Sequence, residues 1–234
     1  MSSLFLEWDS LFFKKRIYQL CVENDFSEND KLFLADTDAD LIYIVAGDTN
    51  ERIDTVCKKL GAKLVDTKVT YEKMIPDSAN ASSKLKYKSV HHLTQDLESM
   101  VYLSGKFSRF QSDEYLRPFF QPLYLEWIQK SLTREIADDV IVAYSDSGLE
   151  VAFFTVSHKN NIGNIGLIAV HEKHQGKGIG YDLLLKAEEW FIDRGISKYN
   201  VITQASNIPA CKLYEKKLCE QKSLKYIYHL WKNN

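Results

Sequence analysis

Gln175-Gly-Lys-Gly-Ile-Gly180 is preceded by NIGLIAV (164–170), a short apolar run of strand character. It is followed by Tyr181 to Arg194, where Leu184, Leu185, Ala187, Trp190 and Phe191 recur at helical spacing. A strand that feeds a glycine loop opening a helix lets backbone N–H groups converge on a phosphate. Glycines at 176, 178 and 180 remove the Cβ atoms that would keep a pyrophosphate off the backbone. Neither common nucleotide fingerprint is met. Gly178-Ile179-Gly180 is not completed as G-x-G-x-x-G, and no G-x-x-x-x-G-K-[ST] occurs. The loop therefore points to a phosphate-bearing ligand of another kind.

With 234 residues the chain can form one large domain or a domain with a small extension, and it can bury a core. A hydrophobic content of 45% with 26% charged residues is that of a soluble globular protein. The formal charge is −2 and the Lys and Arg residues are scattered, which leaves no footprint for nucleic acid or an anionic membrane. MSSLFLEWDSLFFKKR places its positive charges after its apolar residues, opposite to a secretory signal. No apolar run approaches the ~20 residues that span a bilayer. Cysteines 21, 57, 211 and 219 show neither C-x-x-C nor metal-ligand spacing, so a reduced cytoplasmic setting is expected.

The clearest change of texture is PDSANASSK (76–84), where turn-forming residues replace apolar periodicity. It divides the chain into a small N-terminal α/β domain, 1–84, and a larger domain, 85–234. In the first, 40–47 reads as a buried strand, 50–60 as a helix closed by Gly61, and 62–74 as strands around a turn near Asp66. In the second, 93–106 and 120–132 read as helices on either side of a loop, SRFQSDEYLRP (108–118). Strands follow at 139–145, 149–158 and 162–170, then a helix at 179–194, a strand at 199–204, a helix at 207–217 and a last strand near 224–231.

The pattern Gln175-x-x-Gly178-x-Gly180, followed at the right distance by VITQASNIPACKLYEK (201–216), resembles the acyl-CoA loop and the next strand and helix of the GCN5-related N-acetyltransferase superfamily. That resemblance implies a mixed α/β fold, a twisted sheet flanked by helices in which two neighbouring strands splay apart and a thioester lies in the gap. Splaying leaves strand N–H and C=O groups for the amide-rich pantetheine arm to satisfy. It further implies acetyl-CoA or another acyl-CoA as co-substrate and no metal. Gln175, Gly176, Lys177, Gly178, Ile179 and Gly180 would serve the pyrophosphate, and Val170 would offer a backbone N–H to the oxyanion.

Asn207, Ala210 and Tyr214 stand at i, i+3 and i+7 and so share one helical face. Asn207 reads equally as an N-cap, with Pro209 in the first turn. The resemblance assigns Asn207 and Ala210 to the cofactor arm and makes Tyr214 the proton donor to the departing thiolate. His171 and His174 lack further ligands, so no metal is expected there. Tyr124, Trp127 and Ile128 form an aromatic stripe of core character.

Over its whole length the chain is similar to the TDP-fucosamine N-acetyltransferase group through EWDSLFF (7–13), SRFQSD (108–113), LYLEWI (123–128) and TQASN (203–207). That likeness implies a dTDP-linked amino-dideoxy sugar as acceptor, with Arg109 and Phe110 binding it; a guanidinium suits a diphosphate. Three departures stand out. Lys14 replaces an expected glycine, Leu218-Cys219 replaces Gly-Phe, and 162–170 carries no carboxylate to act as general base. The expected activity is acyl transfer to an amine, acetyl by default or a longer group such as hydroxybutanoyl. An N-terminal-amine or polyamine acetyltransferase and a non-catalytic acyl-CoA sensor are the alternatives. The partners are small molecules, and a homo-oligomer is compatible with the sequence.

Overall fold

The computed structural model describes residues 3–47, 51–76, 85–217 and 219–232. The chain begins β1 (Ser3–Phe5), α1 (Glu7–Phe13), β2 (Ile17–Val22), α2 (Glu28–Asp36), β3 (Leu41–Ala46), α3 (Glu51–Leu60) and β4 (Lys63–Met74). It continues β5 (Lys86–Ser89), α4 (Gln95–Ser104), α5 (Arg109–Ser112), α6 (Phe120–Leu132), β6 (Asp139–Tyr144), β7 (Glu150–Lys159) and β8 (Ile162–Val170). It ends α7 (Ile179–Ile192), β9 (Lys198–Gln204), α8 (Ile208–Lys216) and β10 (Glu220–Trp231).

Among the described residues, ten strands form one mixed sheet in the order β1-β2-β3-β10-β4-β9-β8-β7-β6-β5, which gives the expected mixed α/β class. β2 pairs with β3, and β8 with β9, in parallel. The last strand lies between two early ones: β10 pairs with β3 along Tyr226–Trp231 and with β4 along Glu220–His229. The junction expected at 76–84 lies, apart from Pro76, outside the described residues, and the sheet is continuous on either side of it. Among the described residues no helix is long and apolar enough to cross a membrane.

Alternation along each strand divides the core between the two sheet faces. Val69 and Tyr71 of β4 pack with Leu184, Phe191 and Tyr214 beneath α7 and α8. On the opposite face Tyr43, Phe110, Leu123, Ile128 and Phe153 form a second cluster with α4, α5 and α6. A third cluster, around Ile42, Ile44, Ile53 and Tyr228, belongs to the N-terminal part. Asp66 and Lys68 stand two residues apart on β4, out of phase with Val69 and Tyr71.

Several expectations are corrected. Residues 62–74 hold no turn: β4 is one strand, and its irregularity near Asp66 is a register shift where Ile227 faces Asp66 and Tyr228 faces Leu64. A bulge takes up the extra residue without reversing the chain. The expected loop 108–118 contains α5 and a 3-10 turn at Arg117–Phe119. Asp113 shapes the segment leading into that turn, its Oδ1 accepting the Tyr115 N–H at 2.8 Å. Position 14 has left-handed backbone, φ 53°, so lysine occupies a site where glycine would be unstrained. The exit of α8 at Lys217 has φ −80° and needs no glycine; Leu218 and the helix start expected at Asn50 lie outside the described residues.

Candidate active site

β8 and β9 pair only from Gly163↔Tyr199 to Ile165↔Val201, and beyond Ile165 they diverge. On the other edge β8 stays with β7, where a register shift near Phe154 lets Thr155 Oγ1 accept the Leu167 N–H at 2.9 Å. The His171 N–H donates to Val151 O at 2.9 Å. Because hydrogen-bonding direction alternates along an antiparallel strand, the N–H and C=O of Ile168 and Val170 face the gap. Val170 O accepts from Gln175 Nε2 at 3.0 Å, which ties the glycine loop to the end of the splayed strand.

Gly176 and Gly178 both have left-handed backbone, φ 74° and 83°. Gly178 is the N-cap of α7 and, among the described residues, no side chain caps that helix; the Tyr181 N–H turns back to Gly178 O at 2.9 Å, which leaves the N–H groups of Ile179 and Gly180 open to an anion at the positive end of the dipole. Ile179 and Gly180 form the first turn and line the same cavity. Lys177 does not line it; its Nζ donates to Lys173 O at 3.0 Å. His171 caps the short 3-10 turn before the loop, accepting the Lys173 N–H at 3.3 Å. Among the described residues no group of three or more His, Cys, Asp or Glu could hold a metal ion.

The far wall is α8. Asn207 acts as its N-cap: Oδ1 accepts the Ala210 N–H and Nδ2 donates to Thr203 Oγ1, both at 3.3 Å. Asn207, Ala210 and Tyr214 all line the cavity, as one helical face requires. Tyr214 is 2% exposed, its ring 5.4 Å from that of Tyr71, and its hydroxyl makes no hydrogen bond among the described residues. Burial, with Cys219 and Cys211 nearby, pushes the phenol well above its ordinary range and keeps it protonated.

The cavity, about 960 Å³, runs from the α7 N-terminus past Val170 to the face covered by α4, α5 and α6. Arg109 and Phe110 line this second half, though the Phe110 ring also stacks on Phe13 at 5.8 Å in the core. The Arg109 guanidinium lies 4.6 Å from the Tyr43 ring centre and 4.5 Å from that of Phe110, and among the described residues its Nε is buried without a partner. Tyr43 in turn stacks on His229 at 4.7 Å. Asp113 Oδ2 receives His229 Nδ1 at 2.6 Å and Trp231 Nε1 at 3.0 Å, pinning the α5 segment to β10. Burial holds His229 down to about 4, outweighing Asp113, so the ring is neutral and its Nδ1 donates.

Asp9, Asp66 and Lys68 complete this half, and sequence reasoning did not single them out. Burial raises the Asp66 carboxyl to about 6 against the opposing charges of Lys68 and Arg109. Burial and the Arg109 charge bring Lys68 down to about 8. Asp9 is raised by burial, partly offset by Arg109. The available signal was Asp66-x-Lys68, two polar residues on one face of a strand whose other face is apolar.

Residues 104–218 match the model of the acetyltransferase (GNAT) family. Over 57 residues the chain is 37% identical to streptothricin acetyltransferase of Escherichia coli, a stretch amounting to 24% of this chain and 33% of that protein. A functionally unknown conserved protein from Staphylococcus epidermidis has a TM-score of 0.61 at 13% identity, over 92% of this chain and 84% of that one. A GCN5-related N-acetyltransferase from Sphaerobacter thermophilus has a TM-score of 0.53 at 15% identity, over 81% of this chain and 59% of that one. At these identities the two structures speak for the fold alone.

Proposed function

From the match of residues 104–218 to the acetyltransferase (GNAT) family we propose that the protein transfers an acyl group, acetyl by default, from acyl-CoA to the amine of a dTDP-linked amino-dideoxy sugar. The observation that carries this reading is the continuous cavity. It joins an uncapped helix N-terminus and unpaired strand groups to a wall bearing Arg109 and Lys68. The first features fit the pyrophosphate and amide arm of CoA; Arg109 and Lys68 on the opposite wall, with Asp9 and Asp66 beside them, fit an acceptor that carries both a phosphate and an amine, such as an amino-sugar diphosphate.

When bound, acyl-CoA supplies a thioester carbonyl and a thiolate leaving group. Gly176, Gly178 and the first turn of α7 would hold its pyrophosphate, and Ile168 and Val170 would replace a missing strand partner with its arm. The Val170 N–H faces the gap and can donate to the carbonyl oxygen as negative charge develops there. Tyr214 holds a proton for the sulfur. With ordinary values of about 10 for a phenol and 8.5 for a thiol, full transfer is uphill by about 2 kcal/mol, and burial of Tyr214 increases that. Tyr214 therefore hydrogen-bonds the leaving sulfur first and gives up its proton late.

Thiol release with acetyl-CoA and a longer acyl-CoA tests the reading, across dTDP- and UDP-linked 3-amino and 4-amino deoxyhexoses, spermidine and a peptide amine. The expected result is preference for a dTDP-sugar. Turnover of spermidine or the peptide alone would sink the sugar reading, and tight CoA binding with no turnover would leave a sensor. The likeness to streptothricin acetyltransferase adds streptothricin as a further arm.

A further inference from the structure

We propose that Asp66, seated at the β4 bulge, takes the proton from the acceptor's ammonium group; this rests on the N-acyltransferase reading above. β8 reads IGNIGLIAV and brings no carboxylate to the gap. Asp66 comes from a different strand but lines the same cavity as Val170 and Tyr214. It is 7% exposed, and among the described residues its Oδ1 is buried without a hydrogen-bond partner. An unpartnered buried carboxylate oxygen is costly to the fold, and the bulge that immediately precedes Asp66 on β4 is a device often found beside active sites. Asp9, the other carboxylate on this wall, is half-buried and lies beside Arg109.

The groups around Asp66 suit a base. Lys68 shares its strand face and Arg109 reaches it from α5, while Tyr124 faces it from α6. Asp9 from α1 and Lys225 from β10 act on it through Lys68. Burial outweighs the two cations and the Thr67 backbone N–H and brings the carboxyl to about 6. It is thus ionised at neutral pH, yet accepts a proton roughly a hundredfold more readily than an ordinary aspartate.

The step balances. The ammonium gives one proton to the Asp66 carboxylate, and the freed nitrogen lone pair forms the C–N bond as the C–S bond breaks. The second amine proton replaces the one that Tyr214 gives to sulfur, and Asp66 returns its proton to water. The products are an amide, a thiol and one proton.

The test is kcat/KM against pH from 5 to 9 for the wild type and Asp66→Asn, with acetyl-CoA and the best acceptor of the panel above. The wild type should rise up to about pH 6 and then level. Asp66→Asn should be about a hundredfold slower at pH 7 and climb without levelling until the acceptor's own pKa, since only amine already neutral in solution can react. Methoxyamine, neutral throughout most of this range, should show less than about a threefold difference between the two proteins. Should Asp66→Asn not fold, Lys68→Met serves: loss of that cation should move the acid limb upward. A wild-type profile in Asp66→Asn, an equal loss with methoxyamine, or an unmoved limb in Lys68→Met overturns the assignment. A wild type that binds acetyl-CoA but acylates nothing fails the transferase reading first and removes this inference with it, a result distinct from an active enzyme indifferent to Asp66.

Discussion

The two halves of the cavity are made of different material. The half around α7 is contiguous backbone, from Gly166 to Gly180, shaped by strand divergence, two left-handed glycines and an uncapped helix end. The half around Arg109 is side chain, assembled from α1, β4, α4, α5 and α6 and braced from β10 where Asp113 and His229 meet across 116 residues of sequence. A backbone site tolerates most side-chain changes but not an added Cβ where the ligand approaches. A side-chain site can be retuned one residue at a time.

Gly178→Val should break that contrast most severely. No atom lies within 4 Å of a Cβ built at Gly178, so the protein itself has room, but φ 83° costs a non-glycine residue about 1–2 kcal/mol and the new branch occupies the phosphate approach. The expected outcome by calorimetry is a folded protein whose acetyl-CoA affinity falls by more than about a hundredfold, through loss of charged hydrogen bonds each worth roughly 1.5–3 kcal/mol. Normal affinity would remove the phosphate-loop assignment. Arg109→Ala probes the other half and should raise the acceptor KM about tenfold to a hundredfold while leaving the acyl-CoA KM nearly unchanged. A fall in kcat at constant KM would instead make Arg109 a support for Tyr43 and Phe110. Tyr214 stands where the halves meet. Tyr214→Phe should lower kcat by about an order of magnitude with acetyl-CoA affinity kept, and an unchanged kcat would return Tyr214 to the core.

What could be read in advance follows the same division. The order β6-β7-β8-loop-α7-β9-α8 was legible because apolar periodicity and glycine spacing are local properties of 139–217. The α8 face was legible because Asn207, Ala210 and Tyr214 obey helical spacing. The insertion of β10 between β3 and β4 was not, since strand order depends on long-range pairing that no local pattern encodes. Asp66 was placed near a turn because one extra residue disturbs alternation in the same way whether the chain reverses or bulges. SRFQSD reads as an acceptor wall through Arg109 and Phe110. The residue that fixes it, Asp113, depends on His229 and Trp231, which no local pattern connects to it.

The smallest expected effect tests whether the side-chain half carries a built-in stability cost. Burial raises the Asp66 pKa from 3.8 to about 6, so between those pH values the folded protein keeps a proton that the unfolded chain has released. Stability from this residue is therefore lost as pH rises through that window and stays lost above it. Two units correspond to about 3 kcal/mol. Asn escapes the charge penalty but brings its own unpaired amide, so Asp66→Asn should gain only about 1–2 kcal/mol above pH 6, a few degrees in Tm. Below about pH 4, where the carboxyl carries no charge penalty, the unpaired amide alone remains and Asp66→Asn should be the less stable protein by about 1–2 kcal/mol. His229, lowered to about 4, works in the opposite sense, losing stability as pH falls from 6.5, but it is common to both proteins and cancels in the difference. Melting curves from pH 4 to 8 should show a Tm difference that reverses sign with rising pH, the variant melting below the wild type at pH 4 and above it at pH 8. A constant difference would mean that Asp66 titrates as an ordinary carboxylate, and the acceptor wall would then differ from the backbone half in composition alone.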